Sequence, residues 1–244
     1  MMIAVNQLAD YLREQALAIE LVDVQIAVMT LNAVLEVEKS PPSTDIFRYP
    51  VPVLGPEGSC SLFDELAPEP YDLSWLFGGR SEEAARALRD LAAVVESAND
   101  KVGADWLGVY VRAGEGEDRK LVKLAYTGVP SRAEFPLTEA FAQISNNSRV
   151  GLTGWGVVID DVEAWRSSGG GYYECDPRVR SEVCLPVLDS EGRVLGILDA
   201  ESSETAFFTP ERQAWLAGLA LVLATPFAAL PIPGGDDAEA DEGR

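Results

Sequence analysis

The sequence predicts an α+β domain: an antiparallel sheet flanked by helices, carried behind an N-terminal helical extension. Three observations predict it. Residues 81–102 repeat apolar positions at helical spacing. Two pairs of strand-like segments (106–112 with 120–126, 182–188 with 194–199) are joined by short Gly-containing turns. A further helix opens at Thr209-Pro210-Glu211. Strands joined by so few residues run antiparallel, and helices with one apolar stripe need a sheet face on which to bury it.

Taken in order, residues 1–38 read as one long helix. Leu8, Leu12, Gln15, Ile19, Val22, Ile26, Met29 and Ala33 alternate steps of four and three, which draws a single seam. The seam serves equally for packing on its own domain or for a homodimer. Residues 39–80 carry Pro41, Pro42, Pro50, Pro52, Pro56, Pro68 and Pro70. Prolines this dense interrupt regular structure, so the segment reads as a connector, with Trp75, Leu76 and Phe77 anchoring its end. Ser81 is a good N-cap, Glu82 and Glu83 suit the positive helix end, and Leu88, Leu91, Ala92 and Val95 form the buried face up to Gly103.

After the first strand pair a helix is expected over 137–144, then a strand over 156–159 and a Gly-rich loop over 167–171. The second strand pair follows, and the closing helix runs to about residue 223. The organisation is therefore an N-terminal helix and connector (1–80), a domain (81–230) and an acidic, disordered tail (231–244) with five acids and one arginine.

Composition excludes several functions. Among 244 residues there is no histidine, which removes Ser–His–Asp hydrolysis and His-ligated zinc. A net charge of −21 argues against nucleic-acid binding. Cys60, Cys175 and Cys184 are too few and too irregularly spaced for a disulfide scaffold or a metal site. No secretory signal or membrane span is evident, so a soluble cytoplasmic protein without metal or cofactor is expected.

Chemistry concentrates in three segments. Along 106–111, alternation puts Trp106, Gly108 and Tyr110 on one face and Leu107, Val109 and Val111 on the other. Two polar-tipped aromatics around a glycine make a pocket wall, or simply cover a sheet edge. Next, Cys175 lies in a loop beside Asp176, Arg178 and Arg180, and Glu182 shares a strand face with Cys184. Arginines lower a thiol's pKa and acids raise it, while Cys184 also fits a small buried core position. Finally, Asp199 and Glu201 share a face of the last strand. Acids projecting together from paired strands form an acidic pocket for a cationic group, or hold one carboxyl protonated as an acid catalyst.

These segments, in this order, resemble a GAF domain, and more narrowly the free methionine-(R)-sulfoxide reductases. The resemblance is carried by Ala104-Asp-Trp-Leu-Gly-Val-Tyr110, Asp161-Val162, Cys175-Asp176 with Ser181-Glu182, Leu185-Pro186, Gly196-Ile-Leu-Asp199 and Phe208-Thr-Pro-Glu211. It implies a GAF-like sheet with Cys175 as attacking thiol. It further implies Trp106 and Tyr110 as walls of a methylsulfinyl pocket, with Glu182 and Asp199 orienting substrate and supplying protons. Glu201 stands where the family has a second aspartate. A thioredoxin-type reductant is implied as partner.

Two departures accompany the resemblance. The family's two upstream cysteines are absent between Cys60 and Cys175, and the approach to Cys175 is lengthened and Gly-rich. Because Cys184 shares the face of Glu182, it is the candidate resolving thiol. The alternative is a GAF module that binds a small molecule as a sensor without turnover.

Overall fold

The structure is a computed structural model that describes residues 3–37, 45–55, 65–173 and 176–233. Cys60, Cys175 and the acidic stretch 234–244 lie outside the described residues.

The single N-terminal helix expected from the seam is two helices, α1 (Val5–Glu14) and α2 (Leu21–Glu36). The chain turns at Ala16, which takes a left-handed φ of 53°. No glycine or proline marks this break, so the heptad-like spacing ran straight through it. The turn also rephases the seam. Leu8, Leu12 and Gln15 face the core, whereas Val22, Ile26 and Met29 are exposed and Val24, Ala27, Val28 and Leu31 are buried instead. Polar groups pin α1 to the domain. Tyr11 Oη donates to Pro186 O at 2.9 Å, and Gln15 both donates to Gly154 O (3.1 Å) and accepts from Gly156 N (2.6 Å). Gln15→Ala strands two backbone groups at a buried position, so urea unfolding is expected to show a loss of about 1–3 kcal/mol.

The proline-rich connector is partly built into the domain. Its described parts form a two-stranded ribbon, β1 (Arg48–Tyr49) against β2 (Tyr71–Asp72), followed by a 3-10 turn over Leu73–Trp75. Phe47, Leu73, Leu76 and Phe77 are buried in the main core, while Trp75 is exposed with Lys120 Nζ 4.7 Å from its ring centre. Helix α3 (Glu82–Val102) begins and ends as the sequence predicts. Ser81 Oγ accepts from Ala84 N at 3.0 Å, and Gly103 closes the helix in the left-handed conformation.

The sheet follows from the alternating segments. After α3 come β3 (Trp106–Ala113), β4 (Lys120–Thr127), β5 (Glu134–Pro136), helices α4 (Glu139–Ala142) and α5 (Asn146–Thr153), β6 (Val157–Ile159), α6 (Val162–Ser167), β7 (Ser181–Leu188), β8 (Val194–Ser202) and α7 (Pro210–Ala228). The six strands β3 to β8 form one antiparallel sheet of order β5-β4-β3-β8-β7-β6. The helix expected over 137–144 is thus only the single turn α4, with α5 as a separate helix, and α6 occupies a stretch before the Gly-rich loop to which the sequence assigns no element.

One sheet face packs Leu107, Val109, Val111, Val183, Leu185 and Leu198 against α3 and α7, on which α2 lies in turn. Its interdigitated aliphatic side chains make this the main core. The other face carries Trp106, Tyr110, Leu121, Cys184 and Ile197 beneath α5 and the loops before it. No described helix is long and apolar enough to cross a membrane.

Candidate functional site

The second sheet face is a grid set by register. Trp106 pairs with Glu201, which pairs with Glu182; Gly108 pairs with Asp199, which pairs with Cys184. Period-two alternation on three adjacent strands therefore brings every acid and aromatic singled out in the sequence to one side. Gly108 is required there. A Cβ at that position would lie 2.1 Å from Trp106 Cη2, so the indole lies flat across the glycine. The Trp106 ring stands 6.2 Å from both Tyr110 and Tyr126, and its Nε1 donates to Val129 O at 3.1 Å.

Helix α5 covers the acids. Ser145 caps it, and its first turn supplies two buried amides: Asn146 Nδ2 donates to Glu182 Oε1 (2.9 Å) and Asn147 Nδ2 to Asp199 Oδ2 (3.0 Å). Arg149 Nη1 donates to Asn146 Oδ1 at 2.8 Å, so a guanidinium reaches Glu182 through an amide rather than directly. Glu182 and Asp199 are only 3% and 4% exposed. Burial raises the Glu182 carboxyl to about 7, against the hydrogen bonds of Asn146 and Tyr172 and the field of Arg149. Burial and the neighbouring Glu182 raise Asp199 well above the usual carboxylate range. Neutral amides satisfy a carboxylate less fully than a cation does, and like charges this close disfavour double ionisation. The pair therefore keeps a proton to higher pH than free carboxyls do. Asp199 Oδ1 is the one buried side-chain oxygen among the described residues without a protein hydrogen-bond partner.

Two adjoining cavities meet this grid. The inner one, of about 20 Å³, is lined by Trp106, Tyr110, Glu182, Asp199 and Glu201 together with Arg132, Phe135, Tyr172, Tyr173 and the start of α5. The outer one, about 250 Å³, is lined by Pro52, Asp105, Trp106, residues 129–132, Asp176, Arg178 and Glu201. Trp106, Ser131, Arg132 and Glu201 line both. Arg132 stands among the rings of Phe135, Phe141 and Tyr173, and its Nη1 donates to Tyr173 Oη at 2.7 Å. No group of three His, Cys, Asp or Glu residues able to hold a metal ion occurs among the described residues.

The cysteines divide. Cys175 lies outside the described residues, but Tyr173 before it lines the inner cavity and Asp176 after it lines the outer one. Arg178, read in the sequence as a cation beside the thiol, forms a two-pronged ion pair with Asp176, with Nη2 2.8 Å from Oδ2. Arg180 donates to the backbone oxygens of Pro177 and Val179. Cys184 has the predicted face but is fully buried below the grid and lines neither cavity. Burial, then the fields of Asp199 and Glu182, push its thiol well above the ordinary range.

Sequence reasoning missed Asn146, Asn147, Tyr172, Tyr173, Arg132 and Lys123. The run Ser145-Asn-Asn-Ser148 has the composition of a turn, because these side chains compete with backbone hydrogen bonds. Here all four are buried, with Ser148 Oγ donating to Pro136 O at 2.8 Å. Only the partnering acids, 36 and 52 residues further along the chain, explain the two asparagines.

Type II free methionine-R-sulfoxide reductase from Thermoplasma acidophilum is similar at 26% identity and a TM-score of 0.50, over 60% of this chain and 95% of that one. Free methionine-R-sulfoxide reductase from Neisseria meningitidis, in complex with its substrate, is similar at 27% identity and a TM-score of 0.49, over 59% of this chain and 79% of that one. The GAF domain of the Acinetobacter phosphoenolpyruvate-protein phosphotransferase is similar at 16% identity and a TM-score of 0.48, covering 58% and 82%. No curated protein matches the chain. The GAF domain family pattern matches residues 88–225, more than half of the sequence and the whole of the six-stranded sheet, and the chain belongs to that family.

Proposed function

We propose that the protein reduces free methionine (R)-sulfoxide, with Cys175 as the attacking thiol. The observation that carries this reading is a pair of buried carboxyls, Glu182 and Asp199, whose pKa burial raises, in an aromatic-walled cavity also lined by Tyr172 and Tyr173. A sulfoxide oxygen leaves only when protonated, so a neutral carboxyl at pH 7 is the group the reaction needs.

In this reading Trp106 and Tyr110 flank the methylsulfinyl group, and Glu201 at the junction of the cavities faces the substrate ammonium. The Cys175 sulfur attacks the sulfoxide sulfur while the acid pair gives its proton to the oxygen. Methionine departs and Cys175 is left as a sulfenic acid; one oxygen atom and two electrons have moved. A second thiol then displaces water to form a disulfide, which a dithiol reductant of the thioredoxin type opens. Cys184, sealed beneath the acids, is poorly placed to supply that thiol unless the sheet face opens, and an external thiol serves instead.

The second reading is binding without turnover, as a sensor, and it is favoured by the buried Cys184. The exposed stripe of Val22, Ile26 and Met29 on α2 supports a homodimer in either case. Wild-type protein with free methionine (R)-sulfoxide and dithiothreitol should form methionine catalytically, and the S epimer should not react. Stoichiometric binding with no methionine formed would establish the sensor instead. After oxidation with one equivalent of substrate, mass spectrometry should find no Cys175–Cys184 link.

A further inference from the structure

The N-terminal segment reaches the site through a lysine. Pairing of β3 with β4 runs Val109↔Ala125 and then Tyr110↔Lys123, so Leu124 is an extra residue. Leu124 and Ala125 both stay in the α3-side core, and Lys123 lies on the face of Tyr110 and Leu121. Lys123 thus keeps the parity of Leu121 on that face, and the bulge brings Tyr126, three residues on, to the same side; a bulge of this kind re-aims a side chain.

There Lys123 is fully buried among three rings, with Nζ 4.1 Å from the centre of Tyr126, 5.0 Å from Tyr49 and 5.7 Å from Trp106. Its ammonium donates to Ser131 O (2.8 Å) and Ser131 Oγ (2.7 Å). Tyr49 Oη closes the cage by donating to Lys123 O at 2.8 Å. Trp106 and Ser131 line both cavities, whereas Tyr49 belongs to the segment before residue 88 that the family pattern does not cover. Pro52, three residues on, lines the outer cavity.

We propose that Lys123 is a positioning residue for the ligand site: it fixes the Trp106 indole and the Ser131 loop, and the Tyr49 segment completes its cage. Residues 45–55 thereby become part of the binding machinery rather than a tether. A buried ammonium is held by ring faces and directed acceptors, so losing it frees the groups it orders.

The test is hydrogen exchange on the full chain without ligand, followed by calorimetric titration with free methionine (R)-sulfoxide. In Lys123→Met, exchange of the Trp106 indole proton and of the Ser131 and Arg132 amides should rise about tenfold, with α3 and α7 unchanged. Affinity for the sulfoxide should fall by about the same factor. Tyr49→Leu and Ser131→Ala should each move the same protons roughly threefold, and they carry the test if Lys123→Met does not fold. Unchanged exchange at Trp106 and Ser131 overturns the proposal. So does a uniform rise that includes α3 and α7, which marks a lysine needed only for folding. The affinity arm rests on the proposed function and the exchange arm does not. Wild-type protein that binds no sulfoxide therefore defeats the functional reading while exchange still decides the role of Lys123.

Discussion

Turnover of free methionine (R)-sulfoxide is expected to vanish in Cys175→Ser and to fall by about 10²–10⁴-fold in Asp199→Asn, the range for losing a positioned acid. The asparagine keeps the size of Asp199 and can still accept from Asn147, so binding should persist. The pH dependence supplies an independent sign. Glu182 is raised from 4.5 to about 7, and Asp199 is raised too, so the folded chain binds more protons than the unfolded one. The pair's contribution to stability is thus fully present below the unfolded carboxyl value and is lost as pH rises through about 7. Turnover that uses the shared proton should decline over the same upper limb. Urea unfolding at about pH 5 and about pH 8 should show the wild type losing stability relative to Glu182→Gln/Asp199→Asn as pH rises. An equal slope in both proteins would show that the acids titrate normally.

Trp106→Ala is expected to lower stability by about 3–5 kcal/mol, the range for truncating a buried aromatic. The indole lines both cavities and covers Gly108, so its removal deletes a wall of each. Gly108→Ala approaches the same contact from the other side. The added Cβ at 2.1 Å from Cη2 must push the indole off the sheet, at about 1–3 kcal/mol for an overpacked site. Both variants should lose sulfoxide affinity in titration. Gly108→Ala is the sharper test, since it removes no ligand-facing atom. Retained affinity in Gly108→Ala would mean that indole placement does not govern binding.

Much of the candidate site face was legible because strand alternation is a local rule. Trp106, Tyr110, Glu182, Asp199 and Glu201 each follow from parity within a single strand, and the register then places them side by side. Lys123 shares the parity of Leu121 on that face, but Tyr126 joins it there only because the bulge at Leu124 reverses parity, and no residue type in the Leu-Val-Lys-Leu-Ala run announces that. The break at Ala16 escaped likewise, since a left-handed alanine has no sequence mark.

Residue order alone determined the α+β class, the capped helices α3 and α7, the two sheet faces and the absence of histidine chemistry. These depend on hydrophobic period, caps and turns, all of which act over a few neighbouring residues. Tertiary structure decided the rest: that Asn146 and Asn147 meet the acids, that the pair is dry enough to hold a proton, and that Tyr49 reaches Lys123. Those outcomes require contacts between groups 36, 52 and 74 residues apart. Burial, which sets the charge state of a carboxyl, exists only once such distant segments have closed over it.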